Sequence, residues 1–313
     1  MTFAADLDRL LPTGRIGLAV SGGADSLALL LLAAAARPGA VMAATVDHQL
    51  RPEGAAEGAM VGRVCARLGV PHFCLPVTVP AGASLQALAR DARYAALGRW
   101  AGSQELSALA TAHHADDQAE TLLMRLARGS GVAGLAGIRE QRELIAGIAL
   151  IRPLLGWRKN ALIALCEEAG LQPVADPANQ DPRHDRTRAR LLLADTDWID
   201  PVRVARSAVA LGEAEEALAW TADGLAAERI AAEEGGSLVV RADGLPPELQ
   251  RRLVVAALGR LGAPPPRGPD LERALSALGT GGSCTLAGIR LSGGTVWRLA
   301  PAPPRTPTRS ARA

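Results

Sequence analysis

The chain has 313 residues, enough for about two domains with a buried core, and its formal net charge of +2 at pH 7 leaves only local basic patches to contact nucleic acid. Aromatic residues make up 3% of the chain, which argues against binding of single strands by base stacking. The four cysteines are scattered without a C-x-x-C pair, which argues against metal clusters and disulfides, and the absence of a visible secretory signal predicts a cytoplasmic protein.

The first predicted unit is a strand, a tight turn and a helix, because Ser-Gly-Gly-Ala-Asp-Ser lies between the apolar runs 16–20 and 27–36. Glycine lets the backbone approach a ligand closely, and the first turn of a helix offers free N–H groups to phosphate. Asp25 can hold Mg²⁺ against phosphate oxygens. A helix cap made by Ser or Asp is the alternative explanation. The predicted nucleotide-binding residues are Ser21, Gly22, Gly23, Ala24, Asp25 and Ser26.

This hexapeptide is not a Walker A loop, which ends in Gly-Lys-Ser/Thr, because the only lysine of the chain is Lys159. It resembles the PP-loop of ATP pyrophosphatases, enzymes that cleave ATP to AMP and pyrophosphate while they adenylate a substrate. The resemblance implies ATP as a cosubstrate and leaves the second substrate open.

Strands and helices alternate after this loop, which predicts an α/β fold with a doubly wound parallel sheet. The predicted strands are 41–48, 73–77, 106–112 and 148–153, and the predicted helices are 54–68, 84–100, 116–127 and 157–170. Polar residues follow two of these strands, at Asp47-His48 and at 113–117. Since ligands bind at the carboxyl ends of parallel strands, we expect one cleft lined by these residues and the loop.

The helix beginning near Asp116 carries candidate carboxylates, because Asp116, Asp117 and Glu120 share one helical face. They can coordinate Mg²⁺ with Asp25 or bind an ammonium group, or they can simply favour the positive helix end. Together with His113 and His114 they also suggest a transition-metal site, which is disfavoured because adjacent strand residues point to opposite faces.

Three basic segments are candidate anion contacts. Arg90 and Arg93 share a helical face and can stabilise the charge of departing pyrophosphate, although a solvated surface explains them equally well. Arg128 precedes glycines that either end the helix or admit a substrate close to the backbone. The densest cluster, 183–190, is either a solvated loop or a contact to an RNA backbone through Arg186, Arg188 and Arg190.

The alternation of strands and helices stops near Pro201, so we predict a catalytic domain over 1–200 and a smaller α-rich domain over 201–300. The smaller domain is expected to begin with one long helix, 202–234. The other elements predicted there are the strands 237–241, 283–286 and 295–299 and the helices 247–261 and 270–278. Residues 301–313, rich in proline and arginine, are predicted to be a disordered tail.

Taken together, these motifs resemble the tRNA(Ile)-lysidine synthetase family, most strongly over residues 14–200. The segments that carry the resemblance are SGGADS (21–26), VDHQLRP (46–52), ARDARY (89–94), TAHHADDQAETLLMRLARGSG (111–131), IRPLL (151–155) and DPANQD with DRTRAR (176–190). The smaller domain resembles the family's substrate-binding domain more loosely, through LQRR (249–252) and TLAG (285–288).

The resemblance implies a two-step ligation on the wobble cytidine of tRNA(Ile) with a CAU anticodon. ATP first adenylates the C2 oxygen of the base and releases pyrophosphate, with the phosphates at the loop and Asp25 near Mg²⁺. The ε-amine of free L-lysine then attacks C2 and AMP leaves. It further implies that Asp117 and Glu120 hold lysine and help to remove its proton, while Arg93, with Arg90 second, faces the pyrophosphate. Arg128, Arg186, Arg188 and Arg190 are then candidate contacts to lysine or tRNA.

The chain departs from the family in two respects, since it is too short for the further C-terminal domain of longer members and carries Thr187 where many have Asn. A tRNA thiolase is the nearest alternative, but such enzymes usually need suitably placed cysteines. An amide-forming synthetase is disfavoured by the 111–131 segment. An ATP-binding module without chemistry would leave Asp117 and Glu120 without a task.

Overall fold

The computed structural model describes residues 2–49, 53–79, 85–174 and 185–303, and the chain divides between Glu213 and Ala214 into two compact units. The first unit contains a six-stranded sheet in the order β3-β2-β1-β4-β6-β5. Its strands are β1 (Ile16–Ala19), β2 (Val41–Asp47), β3 (His72–Pro76), β4 (Ala108–Ala110), β5 (Gln141–Ile145) and β6 (Ile148–Ile151). All neighbours are parallel except β5 and β6.

Helices cover both faces of this sheet. They are α1 (Phe3–Leu10), α2 (Ala24–Ala36), α3 (Glu53–Arg67), α4 (Leu85–Ser103), α5 (Ala115–Ala127), α6 (Val132–Leu135), α7 (Lys159–Glu168) and α8 (Asp185–Ala194). One core joins Leu18 of β1 to apolar residues of α1, α2, α3 and α7, while the adjacent Ala19 faces a second core that includes residues of α4. This alternation confirms the doubly wound parallel fold.

The strand order reverses between β1 and β4, and that is where parallel sheets of this kind bind ligands. The Ser-Gly-Gly loop follows β1, and residues 111–117 follow β4. The fold therefore places the two principal sequence motifs at neighbouring strand ends.

The elements of the first unit that the sequence did not predict include helix α1, strand β5 and the four-residue helix α6. Helix α1 is short and half polar, but it buries Phe3, Leu7 and Leu10 against the sheet. Strand β5 lies at the sheet edge and is largely exposed, so it lacks the continuous apolar run of a buried strand. It pairs with β6 through a turn in which Gly147 has φ +79°.

The second unit is built on a five-stranded antiparallel sheet in the order β7-β8-β11-β10-β9. Its strands are β7 (Ile230–Glu233), β8 (Ser237–Val240), β9 (Ser283–Leu286), β10 (Ile289–Ser292) and β11 (Trp297–Pro301). Helices α10 (Pro247–Arg260) and α11 (Gly268–Gly279) share one apolar core with this sheet. The unit that the sequence describes as α-rich thus contains an equally prominent sheet.

The predicted helix 202–234 is wrong at its C-terminal end. Helix α9 (Pro201–Arg229) stops at Arg229, and Ile230 begins β7 by pairing with Val240. Alanine and glutamate favour a helix there, but pairing with β8 overrides that local preference. Helix α9 is continuous across the division at Glu213. The boundary predicted from the sequence, at 200/201, lies at the start of this helix.

The C-terminal end of the chain differs in part from the predicted disordered tail, 301–313. Strand β11 extends to Pro301, and of the predicted disordered tail residues 304–313 lie outside the described residues. Among the helices that the structure describes, none is both long and apolar enough to cross a membrane.

Candidate active site

The loop between β1 and α2 has the geometry of an anion cradle. Gly22 adopts φ +88°, a conformation that L side chains rarely take. Gly23 is the N-cap of α2, and no side chain caps the helix. The alternative explanation, a Ser or Asp side chain serving as the cap, is therefore wrong. The first turn of a 13-residue helix keeps its N–H groups available to a phosphate.

Internal hydrogen bonds hold this loop in shape. The Ser26 hydroxyl donates to the Gly23 carbonyl at 2.9 Å and accepts from the Ser21 N–H at 3.1 Å. The Val174 N–H donates to the Gly22 carbonyl at 3.0 Å. Ser26 is buried and committed to the loop, whereas Ser21 is exposed. The Ser21 Oγ also lies 3.3 Å from the Ser26 Oγ, but its exposure makes it the one of the two predicted hydroxyl donors that can face a ligand.

Asp25 connects the loop to the carboxylate helix α5. Its Oδ2 lies 3.5 Å from Nε2 of His114, and its Oδ1 is buried without a hydrogen-bond partner in the part of the chain that the structure describes. Burial disfavours the charged form of Asp25, but hydrogen bonding and the charge of His114 lower its pKa below the ordinary value. Asp25 is thus an ionised carboxylate with one unused oxygen, as a Mg²⁺ ligand requires.

His114 is the centre of a buried charge network that the sequence analysis did not foresee. It lies 3.6 Å from Asp116 (Nδ1 to Oδ2) and 3.5 Å from Asp117 (Nε2 to Oδ2). Burial alone would lower its pKa, but hydrogen bonds to Asp116 and Asp25 and the charge of Asp117 raise it to about 9. His114 is therefore an imidazolium at neutral pH, and a protonated ring does not ligate a metal.

His114 also begins α5. The Asp117 carboxylate accepts from the His114 N–H at 3.0 Å, which completes half of a capping box. The Asp117 N–H lies 3.4 Å from His114 Nδ1, a contact that the protonated ring cannot accept. No group of three or more His, Cys, Asp and Glu residues suited to a metal ion occurs among the described residues. The carboxylates near His114 are paired with it.

Asp117 and Glu120 are buried and paired with arginines of α8. Glu120, only 2% exposed, accepts from Arg186 Nε at Oε2 and from Arg190 Nε at Oε1, each at 2.7 Å. Arg186 also donates through Nη2 to Asp117 Oδ1. The structure thus joins the carboxylates predicted to bind lysine to two arginines predicted as substrate contacts. No spacing signal could reveal this pairing, because about 70 residues separate the partners.

The remaining predicted arginines of this region are exposed. Arg188 has 74% of its side chain exposed and lies 3.9 Å from Asp185, on its own helix. Arg128, at the end of α5, donates to Asp185 at 2.5 Å and so ties α5 to the first turn of α8. Gly129 has φ +69° and ends α5, as the sequence suggested.

Arg90 and Arg93 lie on α4, beside the ends of β2 and β4. Burial lowers the pKa of the partly buried Arg93 guanidinium, and burial and Arg93 lower the pKa of His48, which follows β2. The Arg90 guanidinium stacks over the Tyr94 ring, 5.1 Å from its centroid.

Burial and the charges of Arg152 and Arg186 lower the pKa of His113 to about 3, so this histidine is neutral beside the charged His114.

The structure adds functional candidates that sequence reasoning did not name. Arg152, 3% exposed, follows β6 and donates to the Arg139 carbonyl. Arg158 lies 3.5 Å from both Asp116 and Asp200. In the sequence, Arg152 could have been recognised only from its place in the segment 151–155, which carries the family resemblance. No sequence feature pointed to Arg158.

Comparison with known proteins agrees with this geometry. A family model described as a PP-loop domain matches residues 2–196. The U34-tRNA thiolase NcsA from Methanococcus maripaludis, solved with its [4Fe-4S] cluster, has a TM-score of 0.56 at 16% identity, over 67% of this chain and 78% of its own. At that identity the likeness indicates the fold alone. Fold, loop and family model define a PP-loop ATP-binding protein.

Relatives of nearly the same length identify one family within this class of PP-loop proteins. The chain is 47% identical to the tRNA(Ile)-lysidine synthase of Novosphingobium aromaticivorans, over 96% of this chain and 93% of that protein. It is 45% identical to the enzyme of the same name from Zymomonas mobilis subsp. mobilis, over 94% and 90%. The chain belongs to the tRNA(Ile)-lysidine synthase family, and it is a ligase that forms a carbon–nitrogen bond.

Proposed function

We propose that this protein joins the ε-amine of free L-lysine to C2 of the wobble cytidine in tRNA(Ile) with a CAU anticodon. One observation carries the proposal: His114 links Asp25 of the phosphate loop to Asp117 of the carboxylate helix, at 3.5 Å from each. An activating site for ATP and an anionic pocket for an amine therefore share one charge network. That combination suits adenylation followed by attack of an amine.

ATP activates the cytidine in the first step. The C2 oxygen attacks the α-phosphorus, the bond to the β-phosphate oxygen breaks, and pyrophosphate leaves with the electron pair. The N–H groups at the start of α2 bind the phosphates, and Arg93, with Arg90 second, stabilises the leaving pyrophosphate. Asp25, with its unused Oδ1, would hold Mg²⁺, which supplies charge neutralisation on phosphate oxygens when bound.

Lysine completes the reaction in the second step. Its neutral ε-amine attacks C2, the C2–O bond breaks, and AMP leaves with the electron pair. Asp117 and Glu120 bind the ammonium form, and one of them accepts the proton that the amine must lose. Arg186 and Arg190 now occupy these carboxylates, so lysine must displace at least one guanidinium.

Three other assignments belong to this proposal. Arg128, Arg188 and the displaced arginines of α8 are available to the tRNA backbone, and the smaller unit assists in tRNA binding. The cytoplasm is the expected location, because tRNA is processed there. A thiolase or an amide-forming synthetase is not favoured by the relatives, and a module that only binds ATP leaves the amine pocket without a ligand.

The test is incorporation of labelled lysine into an unmodified tRNA(Ile) transcript in the presence of Mg-ATP. We expect label in the RNA with release of AMP, and we expect Glu120→Ala to raise the lysine requirement more than tenfold while the ATP requirement changes less than threefold. Glu168→Ala, an exposed carboxylate at the end of α7, is the matched control.

Two outcomes would contradict the proposal. Folded protein that binds ATP but transfers no label would be a binding module. A Glu120→Ala protein that loses affinity for ATP rather than for lysine would move the amine pocket elsewhere.

A further inference from the structure

A cluster of arginines surrounds the ring of Tyr94. The guanidinium carbons of Arg90 and Arg142 lie 5.1 and 5.2 Å from the ring centroid. Arg152, the first residue after β6, belongs to the same group. Arg142 pairs with Leu150 of β6 and the Arg152 N–H donates to the Glu140 carbonyl, so Arg142 and Arg152 are diagonal neighbours on one face of the sheet. These four residues, Arg90, Tyr94, Arg142 and Arg152, are called the Tyr94 cluster below. Only Arg90 has a part in the reaction proposed above, and that part is secondary.

The positive charge of the Tyr94 cluster is not balanced. No carboxylate of the described residues lies within ion-pair distance of its three arginines, whereas most other buried or half-buried arginines near the site are paired. Arg152 is 3% exposed, and its Nε is buried without a hydrogen-bond partner in the described parts of the chain. A buried cation normally has a counter-charge, and an orphaned buried donor indicates a missing partner.

The cluster lies at the edge of the sheet where the substrates are expected. Arg152 follows β6, and β6 is the sheet neighbour of β4, whose end leads to His113. The charges of both Arg152 and Arg186 act on His113, which donates to or accepts from Thr111 Oγ1 at 2.9 Å. The cluster and the carboxylates paired with Arg186 therefore lie within electrostatic reach of the same histidine.

We propose that the Tyr94 cluster is an oxyanion-binding site centred on Arg152. A planar guanidinium with a free Nε–H matches the two oxygens of a carboxylate or a phosphate. Two ligands offer this chemistry: the α-carboxylate of free lysine, which rests on the proposed function, and a phosphate group of the RNA. The carboxylate would let the enzyme select lysine over amines that lack one.

Tyr94 offers a direct probe, because it is the only tyrosine in the chain. Full-length protein labelled with 3-fluorotyrosine gives a single ¹⁹F resonance from the middle of the cluster. We would titrate it separately with L-lysine, with 1,5-diaminopentane, which is lysine without its carboxylate, and with inorganic phosphate. We expect a saturable shift with at least one oxyanion and none with the diamine.

Variants connect the shift to the cluster. Arg152→Gln should raise the apparent Kd of the oxyanion at least tenfold. Arg99→Gln, which removes one exposed arginine from the same helix α4, should leave it unchanged. If Arg152→Gln does not fold, as judged by circular dichroism, Arg90→Gln at the exposed side of the ring takes its place.

The pattern of shifts identifies the ligand. A shift with lysine alone assigns the carboxylate, a shift with phosphate alone assigns the phosphate, and shifts with both support a site that takes either oxyanion. A shift with the diamine equal to that with lysine overturns the oxyanion site. No shift with any oxyanion, or an equal shift in Arg152→Gln, overturns the site. The titration uses no ATP and no tRNA, so the site can survive even if labelled lysine never enters the RNA.

Discussion

At the scale of the residue, His114 decides the electrostatics of the site. Three carboxylates lie within 3.6 Å of its ring nitrogens, and together they keep a buried imidazole charged. The adjacent His113 is kept neutral by burial and by arginines. The sequence presents the two as one His-His pair, whereas Asp25 and the nearby Asp116 and Asp117 keep His114 charged and arginines distant in the chain keep His113 neutral.

This difference predicts a pH dependence of stability. The pKa of His114 rises from 6.5 to about 9 on folding, so its stabilisation is complete below pH 6.5 and is lost as the pH rises through 9. We expect the His114 contribution to the free energy of unfolding to fall by about 2 kcal/mol between pH 5.5 and 8.5, measured by urea denaturation as the difference between the wild type and His114→Gln. The low pKa of the buried, neutral His113 makes an opposite contribution over this range, and the difference between the two proteins cancels it. Burial raises the pKa of the Cys65 thiol to about 11. Measurements below pH 9 therefore limit the effect of Cys65 on the free energy of unfolding.

His114→Gln is the comparison for this prediction. The variant should be less stable than the wild type at pH 5.5, because three carboxylates lose their partner, and this difference should shrink by about 2 kcal/mol up to pH 8.5. A stability difference that stays constant with pH would mean that His114 does not titrate in this range.

At the scale of the element, helix α8 determines whether the carboxylates of α5 are available. It contributes two guanidinium groups to Glu120 and one to Asp117. The charge density of residues 183–190 indicates a candidate RNA contact but not that two of its arginines pair with buried carboxylates. We therefore regard α8 as a counter-charge to the pocket as well as a candidate RNA contact.

The α5–α8 pairing predicts a measurable coupling. Arg190→Gln leaves Glu120 with one guanidinium fewer in a buried site, and we expect a loss of about 2 kcal/mol in the free energy of unfolding. Arg188→Gln, two residues away on the exposed face of α8, should cost less than about 0.5 kcal/mol. Urea denaturation of both variants checks the difference. Equal losses would mean that the pairs at Glu120 do not stabilise the fold.

At the scale of the whole molecule, two units carry separate cores. Leu18 is fully buried in the first unit and Leu291 in the second, and neither core includes residues of the other. The phosphate loop and the carboxylate helix belong entirely to the first unit. Nucleotide binding should therefore tolerate damage to the second core.

Leu291→Ala tests this separation. Removing a fully buried leucine should destabilise the second unit by about 3 kcal/mol, seen as a lower unfolding midpoint. The Kd for ATP should stay within twofold of the wild-type value in a direct binding assay. Leu18→Ala, the matched change before the loop, should weaken ATP binding instead. A large loss of ATP affinity in Leu291→Ala would mean that the units do not act separately.

Local sequence determined the parts of this protein whose physics is local. Apolar runs and glycines predicted the parallel sheet, and the hexapeptide at Ser21–Ser26 predicted the anion cradle, because backbone conformation and burial follow from neighbouring residues. Strand β7 was missed because pairing with the next strand, β8, overrode the helix propensity of its alanines and glutamate. The neutral state of His113, the pairing of Glu120 with Arg190 and the unbalanced Arg152 were decided only by tertiary structure, since these electrostatic energies depend on distances between residues far apart in the chain.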